Sequence, residues 1–386
     1  MPPREAARAA SGRRFWQGGG AVALAAALLA ACSSGSIRPK PAELPVNAPV
    51  IGVERVWTAR LASAIDFPLQ VAVRDGRVTL AGGNGTVVTL DGATGAELAR
   101  TSLGEALSAG VGSDGTVSAV VTRGSQVVAL EGAKQLWRYD LKTQSFTPPL
   151  VAGGRVFVLG ADRSVTALDA QNGQLLWRIA RSTEPLVLRQ AGLLMAHGNT
   201  LVAGLSGRLA GIDPDTGSVL WEAPLAVSRG TNDVERLIDL LGGVSRQGDV
   251  VCARAFQTAV GCANVASGEV VWSKPAAGSV GVVGDADLVF GAESDGQVVA
   301  WRAASGERAW LSERLMWRDL TGPLVLGRSV ILGDSQGWVH MLARVDGSHV
   351  NRMMTDSSGV AAPPVVAGNT LVVVTRAGGV YGFQPE

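Results

Sequence analysis

The sequence is poor in the residues that most often build catalytic and metal-binding sites. It has three histidines and three cysteines in 386 residues. His197, His340 and His349 each lack a partner at the spacing of a metal-ligand pair, so neither a zinc site nor a histidine-activated nucleophile is favoured. The sequence therefore predicts no catalytic residue, no metal site and no cofactor.

An excess of charge of either sign is also missing. The 34 basic and 33 acidic residues give a formal net charge of +1 at pH 7, and no basic tract interrupts the balance. Because binding to nucleic acid relies on a concentrated basic surface, nucleic acid is not an expected partner.

Glycine, by contrast, is abundant, with 50 residues, and it marks a repeat. Asp169, Gly173 and Trp177 follow the pattern Asp-x-x-x-Gly-x-x-x-Trp after a β-like run. An aspartate can accept hydrogen bonds from the amides of a turn, and glycine can adopt its positive φ. One tryptophan per unit is expected to pack between units. Full or altered copies occur at Asp213, Gly217 and Trp221, at Asn264, Gly268 and Trp272, at Arg302, Gly306 and Trp310, at Asp91, Gly95 and Ala99, at Ala343, Gly347 and Asn351, and, out of register, at Gly132 and Trp137.

The spacing and setting of these copies predict the fold. Each follows a hairpin of short β-branched runs, and neighbouring glycines lie about 38 to 51 residues apart, which is the period of four-stranded propeller blades. The helical periodicity of an α-solenoid is absent. Hairpins centred near residues 78, 117, 156, 201, 250, 288, 330 and 371 predict an all-β, eight-bladed β-propeller.

The two ends of the chain each carry part of one blade. Val53 to Trp57 has the character of a tryptophan-bearing outer strand, whereas the hairpin from Leu371 to Phe383 stops before its own last strand. We expect the N-terminal strand to complete the last blade, because this closes the ring without an unpaired edge. The predicted propeller spans residues 50–386 and is expected to be monomeric.

The first 31 residues are typical of an export signal. Four arginines precede an apolar run from Ala21 to Ala31, which is too short for a comfortable membrane span. Leu29-Ala30-Ala31-Cys32 resembles the lipobox of bacterial lipoproteins, so Cys32 is the expected lipidation site. Arg13 and Arg14 leave the twin-arginine route open beside general secretion. Residues 32–49 are rich in Ser, Gly, Pro and Lys and predict a flexible tether.

Two further cysteines lie on the hairpin of the fifth blade. Cys252 and Cys262 occupy positions that face each other across the hairpin, which makes a cross-strand disulfide feasible in an oxidising compartment. Two buried thiols remain the alternative.

The repeats resemble those of the propeller family named for pyrroloquinoline quinone enzymes. With the lipobox and the phrases at 333–337 and 356–359, the chain is similar to the BamB lipoproteins of the β-barrel assembly machinery. This resemblance implies a non-catalytic scaffold, held by its lipid in the outer membrane and facing the periplasm. The implied partners are the POTRA domains of BamA and the other assembly lipoproteins, with nascent barrel proteins pairing along blade edges as a further hypothesis.

The same resemblance implies which residues bind BamA. Leu186-x-Leu188-Arg189 matches one family segment, where the third blade leads into the fourth, and Arg236-x-x-Asp239 matches the other, in an insertion at 227–243. The family often has a second aspartate two residues later, where this chain has Leu241. Without the resemblance, the residues alone leave open that Leu186 and Leu188 are buried in their own blade and that the insertion is only a surface loop.

The alternative function is that of a periplasmic quinone-dependent dehydrogenase. Such enzymes resemble this chain only in their blades and use neighbouring cysteines, a calcium site and a catalytic aspartate. Cys252 and Cys262 are not neighbours in the sequence, which disfavours this alternative.

Overall fold

The computed structural model describes residues 39–61, 63–180, 186, 188–227 and 237–386. Residues Pro41–Glu386 form one compact unit, and Pro39 and Lys40 are the described part of a second unit. Every regular element among the described residues is a β-strand. No helix in this part of the chain is long and apolar enough to cross a membrane.

The strands form eight antiparallel sheets of four strands each, which confirms the predicted eight-bladed propeller. In chain order, blade 1 contains β2 (Ala72–Arg74), β3 (Arg77–Ala81), β4 (Thr86–Asp91) and β5 (Glu97–Ser102); blade 2, β6 (Gly112–Ser113), β7 (Val117–Val121), β8 (Gln126–Glu131) and β9 (Lys134–Asp140); blade 3, β10 (Leu150–Ala152), β11 (Arg155–Leu159), β12 (Val165–Asp169) and β13 (Leu175–Ile179); and blade 4, β14 (Leu194–His197), β15 (Thr200–Leu205), β16 (Arg208–Ile212) and β17 (Val219–Pro224).

The second half of the ring repeats this order. Blade 5 contains β18 (Ser245–Gln247), β19 (Val250–Ala255), β20 (Ala259–Asn264) and β21 (Glu269–Pro275); blade 6, β22 (Val282–Gly284), β23 (Leu288–Ala292), β24 (Val298–Arg302) and β25 (Arg308–Ser312); blade 7, β26 (Leu324–Leu326), β27 (Ser329–Gly333), β28 (Trp338–Ala343) and β29 (His349–Met354); and blade 8, β30 (Val365–Ala367), β31 (Thr370–Val374) and β32 (Gly379–Pro385), with β1 (Val53–Arg60).

Strand β1 closes the ring, as the sequence predicts. It pairs with β32 in antiparallel register from Val53 opposite Pro385 to Arg60 opposite Gly379. The last blade is thus built from both ends of the chain, which leaves β32 without an open edge.

The core lies within the blades and between them. The second and third strands of each blade are buried almost throughout, because both faces of these strands are covered by neighbouring blades. The outer strands alternate buried and exposed positions, which is the pattern of a half-buried strand.

The repeated turn holds each outer strand in place. In blade 3, Asp169 Oδ1 accepts hydrogen bonds from the amides of Gln171 and Asn172, at 2.9 and 3.0 Å. Gly173 follows with a φ of +74°, a conformation that glycine adopts without steric cost. The turn chemistry predicted from the repeat is confirmed.

At six of the eight boundaries the repeated tryptophan joins one blade to the next, and this confirms the expected packing between units. Trp137 of blade 2 donates from Nε1 to the carbonyl of Ala170 in blade 3, at 2.9 Å. Its ring covers Gly173, where a Cβ would come within 2.6 Å of the indole. The same contact between ring and glycine joins Trp57 to Gly95, Trp177 to Gly217, Trp221 to Gly268, Trp272 to Gly306 and Trp310 to Gly347.

All loops between blades emerge on one face of the ring. In a blade of four antiparallel strands, the end of the fourth strand lies beside the turn between the second and third. The loop from β13 to β14 and the turn from β11 to β12 therefore share a face, as do their counterparts in the other blades. We call this side of the ring the connection face.

Part of the predicted tether belongs to the folded unit instead. The amide of Ala42 donates to the carbonyl of Met316 at 2.9 Å, and that of Val50 donates to Val350 at 2.8 Å. Asn47 donates through Nδ2 to Asn351 Oδ1 and to the carbonyl of Arg352, both at 3.1 Å. Residues 42–50 therefore lie as an extended strap along the outer strand of blade 7.

A buried ionic cluster fixes the start of this strap. Arg318 donates from Nε to Asp334 Oδ2 at 2.7 Å and from Nη1 to the carbonyl of Ala42 at 2.7 Å. His340 Nε2 lies 2.9 Å from the same carboxylate oxygen. Burial lowers the pKa of His340, and Asp334 only partly offsets this effect. Burial opposes the charge of Asp334, but hydrogen bonds from His340 and Arg318 hold its pKa below the ordinary value.

The two cysteines of blade 5 are joined by a disulfide. Cys252 on β19 and Cys262 on β20 are directly opposite in the strand register. Both lie in the hydrophobic core beside Trp272, so the bond ties together two strands that the sheet already pairs.

Candidate partner-docking site

The residues implied in partner binding lie on two loops of the connection face. Leu186, Leu188 and Arg189 belong to the loop between β13 and β14, and Asp239 belongs to the loop between β17 and β18. Arg236 lies outside the described residues. The structure therefore describes four of the five residues that the resemblance implies in partner binding.

Backbone pairing holds the two loops side by side. Leu193 donates to the carbonyl of Leu240 at 3.1 Å, and Gly242 donates to that of Ala191 at 2.7 Å. Gly192 and Leu241 form an isolated antiparallel bridge. Segments about 50 residues apart in the chain thus form one continuous surface.

The carboxylate of Asp239 links these loops to blade 3. Its Oδ1 accepts a hydrogen bond from Arg163 Nε at 3.1 Å, and its Oδ2 accepts one from the amide of Leu188 at 3.3 Å. Arg163 also donates to the carbonyl of Leu186 at 3.3 Å. Because this ion pair is largely buried, its charged hydrogen bonds are little screened by solvent. Asp239 is therefore placed to set the position of Leu186 and Leu188 on the loop between β13 and β14, called the docking loop below after its implied role.

The side chains that remain available for contact are those of Leu186 and Arg189. Leu186 is 39% exposed, which rules out the alternative that it is buried in its own blade. Leu188 is half-buried, whereas Arg189 is exposed, with its guanidinium carbon 6.0 Å from the centre of the Phe146 ring. An aromatic face attracts a cation at this distance and so restrains the direction in which Arg189 points.

Leu241, at the position where the family resemblance implies an aspartate, is buried. Its amide donates to the carbonyl of Arg254 at 2.9 Å, and it lines a small pocket with Leu188 and Phe146. The side chain at this position supports the loops from within and presents no charge to a partner.

The sequence did not single out Arg163 or Phe146. Arg163 sits in the turn between β11 and β12 with a φ of +59°, which is uncommon for a residue with a side chain. The hairpin pattern places it in this turn, but its pairing with Asp239, 76 residues away, has no local signal. Phe146 does not occupy any position of the repeat either, so the repeat pattern does not point to it.

Comparison with known proteins places this architecture in a family. A family model described as "Outer membrane protein assembly factor BamB" matches residues 83–312. The protein of that name from Burkholderia pseudomallei is 42% identical over 372 residues, which cover 95% of this chain and 97% of the relative. This chain belongs to the BamB family. The BamB of Bordetella pertussis is 33% identical, over 95% of this chain and 96% of its own length.

Solved structures show the same fold. The crystal structure of BamB from Moraxella catarrhalis superposes with a TM-score of 0.79 at 24% identity, covering 86% of this chain and 99% of that one. A quinohemoprotein alcohol dehydrogenase from Comamonas testosteroni reaches a TM-score of 0.67 at 14% identity, over 89% of this chain and 79% of the enzyme. At such identities the likeness concerns the fold alone. In the described part of this BamB-family chain, no group of three or more His, Cys, Asp or Glu side chains is arranged to hold a metal ion.

Proposed function

We propose that this protein is a non-catalytic scaffold of the outer-membrane β-barrel assembly machinery, which binds the POTRA domains of BamA through its connection face. Relatives that match nearly the whole chain are named as outer-membrane protein assembly factors. Membership of their family supports a role in the assembly of outer-membrane proteins. Binding to BamA is the finer step of the proposal.

The observation that carries this step is the link between the two loops through Asp239. Its hydrogen bonds to Arg163 and to the amide of Leu188 position the segment that exposes Leu186 and Arg189. An exposed apolar side chain and a restrained arginine on the same loop have the composition of an interaction hot spot. Because hydrogen bonds already hold the backbone at Leu186 and Leu188, less conformational entropy is lost at these residues when a partner binds.

The proposal includes a lipid anchor at Cys32 and a location on the periplasmic side of the outer membrane, beside the other assembly lipoproteins. An acyl anchor would keep the propeller at the membrane where barrel proteins are inserted. A variant in which an ordinary cleavable secretory signal replaces residues 1–32, and which therefore lacks Cys32, should leave the membrane fraction and appear in the soluble periplasmic fraction. Retention of this variant in the membrane would contradict lipidation as the means of anchoring.

Co-purification tests the choice of partner. BamA should be recovered with the wild-type protein from detergent-solubilised outer membranes, and less of it should be recovered with Arg189→Ala or Leu186→Ala. Leu220→Ala is a matched control, because Leu220 is 55% exposed on an outer strand away from the docking loops. Equal recovery of BamA with all four proteins would exclude the docking loop as the contact.

A further inference from the structure

Two of the eight blade boundaries lack the tryptophan that seals the other six. At the position of Trp177 in blade 3, blade 1 has Ala99 and blade 7 has Asn351, as the strand registers show. These two boundaries differ in what covers them. One is covered by the chain itself, and the other is open.

At blade 7 the end of the strap and Ile51, the residue that follows it, cover the boundary that an indole covers elsewhere. Asn351 donates from Nδ2 to the carbonyl of Ile51 at 2.8 Å, and Val50 donates to Val350 at 2.8 Å. Ile51 packs against a core cluster shared by blades 7 and 8. An extended peptide segment is thus sufficient to cover a boundary that has no tryptophan.

At blade 1 the whole row of side chains leading to Ala99 is small. The aligned residues across the sheet are Ala72, Thr79, Thr89 and Ala99. The corresponding row in blade 3 is Leu150, Phe157, Ala167 and Trp177, in which the two aromatic rings lie 5.9 Å apart. In blade 1 the two threonine hydroxyls bond each other instead, at 3.1 Å.

The facing wall, on blade 2, is also reduced. Its outer hairpin turns tightly between Glu131 and Lys134, which pair directly, so the longer turn that receives the indole elsewhere is absent here. No described heavy atom lies within 4 Å of the place where a Cβ on Gly132 would be. The equivalent point on Gly173 is 2.6 Å from Trp137.

At this boundary a cleft of about 560 Å³ lies between blades 1 and 2. This volume lies in the range of about 300–1,000 Å³ that is typical of ligand pockets. Leu98, which is 52% exposed, lines it, as do the charged residues Arg74, Arg77 and Glu131. The cleft therefore combines an apolar wall with polar groups that can meet a peptide backbone.

We propose that this cleft binds an aromatic side chain, tryptophan above all, carried by an extended segment of a partner polypeptide. The six sealed boundaries show that a space between adjacent blades of this chain accepts an indole. In five of them the indole nitrogen donates to a carbonyl of the next blade, at 2.7 to 3.1 Å. The strap on blade 7 shows that an extended segment fits along an outer strand. This site is separate from the docking loops of blades 3 to 5 and does not depend on the proposed function.

Binding of a short peptide tests the proposal directly. The probe is acetyl-Gly-Thr-Trp-Thr-Gly-amide with a fluorinated indole, followed by ¹⁹F NMR with the purified full-length protein. A matching peptide with fluoroalanine in place of tryptophan is the control ligand. We expect saturable binding of the tryptophan peptide and binding of the alanine peptide that is weaker by about tenfold or more.

A variant that fills the cleft with its own indole should abolish this binding. In Thr89→Ala/Ala99→Trp, the strand opposite the new tryptophan carries alanine, as in blades 2, 3 and 6. The filled variant should also unfold at a higher temperature than the wild type. Val345→Trp adds an indole at a position that is 79% exposed, and it should bind the peptide as the wild type does.

Hydrogen exchange on the wild-type protein provides a readout that needs no variant. The tryptophan peptide should slow amide exchange in 97–102, the outer strand of blade 1, and in 131–134, the turn between β8 and β9 of blade 2. Saturable binding that leaves these segments unprotected would overturn the proposal. So would equal affinity for the alanine peptide, undiminished binding by a folded filled variant, or no binding at all.

Discussion

The indole of Trp137 lies on the bare α-carbon of Gly173, the glycine of the next blade's turn. A Cβ on that glycine would lie 2.6 Å from the ring, well inside van der Waals contact. The repeat is therefore recognised through a pair of residues that belong to different blades. A complete copy, such as that of blade 3, supplies the tryptophan of one contact and the glycine of another, and this explains why a single blade could not bury its outer strand alone.

Gly173→Ala should destabilise the protein by about 2–4 kcal/mol, because it combines a left-handed backbone conformation with overpacking against Trp137. Gly154→Ala is a matched control in the same blade, with a φ of +71° and nothing within 4 Å of the added Cβ. It should cost only about 1–2 kcal/mol, the strain of the backbone conformation. Urea unfolding measures both, and equal losses would show that the contact between blades adds nothing.

Asp239→Ala should loosen the docking loop without unfolding the ring. The substitution removes the carboxylate that accepts hydrogen bonds from Arg163 and from the amide of Leu188. Amide exchange at Leu188 should become faster, while exchange in the buried strand β11 should stay slow. Unchanged exchange at Leu188 would show that Asp239 does not order this loop.

His340 should make the folded protein less stable as the pH drops below about 6.5, the ordinary pKa of histidine. Its pKa in the folded state is lowered, so below about pH 6.5 the unfolded chain binds a proton that the folded chain does not, and unfolding is favoured. The lost stability approaches about 1.4 kcal/mol per pH unit in this window.

His340→Gln removes this titration while keeping a side chain that can donate to Asp334. The slope of the unfolding free energy against pH should therefore be shallower in the variant, from about pH 6.5 downward. Asp334 adds a separate loss at lower pH, because its lowered pKa contributes stability that disappears as the carboxylate is protonated. If the wild type and the variant lost stability equally with falling pH, at pH values above those at which Asp334 is protonated, the loss could not be assigned to His340.

Reduction of the disulfide should lower stability but leave the fold intact. The bond between Cys252 and Cys262 closes a loop with a sequence separation of 10 residues, for which chain entropy gives about 2–3 kcal/mol. Cys252→Ala/Cys262→Ala should show a similar loss in urea, with partner binding unchanged. A loss of partner binding in this variant would mean that blade 5 contributes more than a structural support.

The architecture could be predicted from the sequence because its signals are local and repeated. The turn from Asp169 to Gly173 specifies a hairpin by itself, and the incomplete hairpin at Leu371–Phe383 requires a missing strand that only Val53–Trp57 supplies. Eight blades and their closure followed from such patterns. The sequence also predicted that Cys252 and Cys262 face each other across two strands. Their shared register alone does not decide between a disulfide bond and two free thiols.

The interactions that the sequence did not predict all join residues far apart in the chain. Asn47 bonds Asn351 across 304 residues, and the composition of its segment is that of a flexible tether. Arg163 pairs with Asp239 through a turn whose length resembles that of the other turns. In the sequence, the cleft at Ala99 shows only as a repeat copy that lacks its tryptophan. The facing turn of blade 2 is also short, and the sequence does not show that these two features meet.

Calorimetry with the isolated POTRA domains of BamA tests the proposed docking most directly. It measures the dissociation constant of their complex with the chain from Ser33 onward. Leu186→Ala and Arg189→Ala should each weaken binding by about tenfold or more, the effect expected of hot-spot residues. Leu220→Ala and Arg308→Ala, exposed residues on other outer strands, should bind as the wild type does. Wild-type affinity in both docking-loop variants would contradict the proposal that this face of the propeller holds BamA.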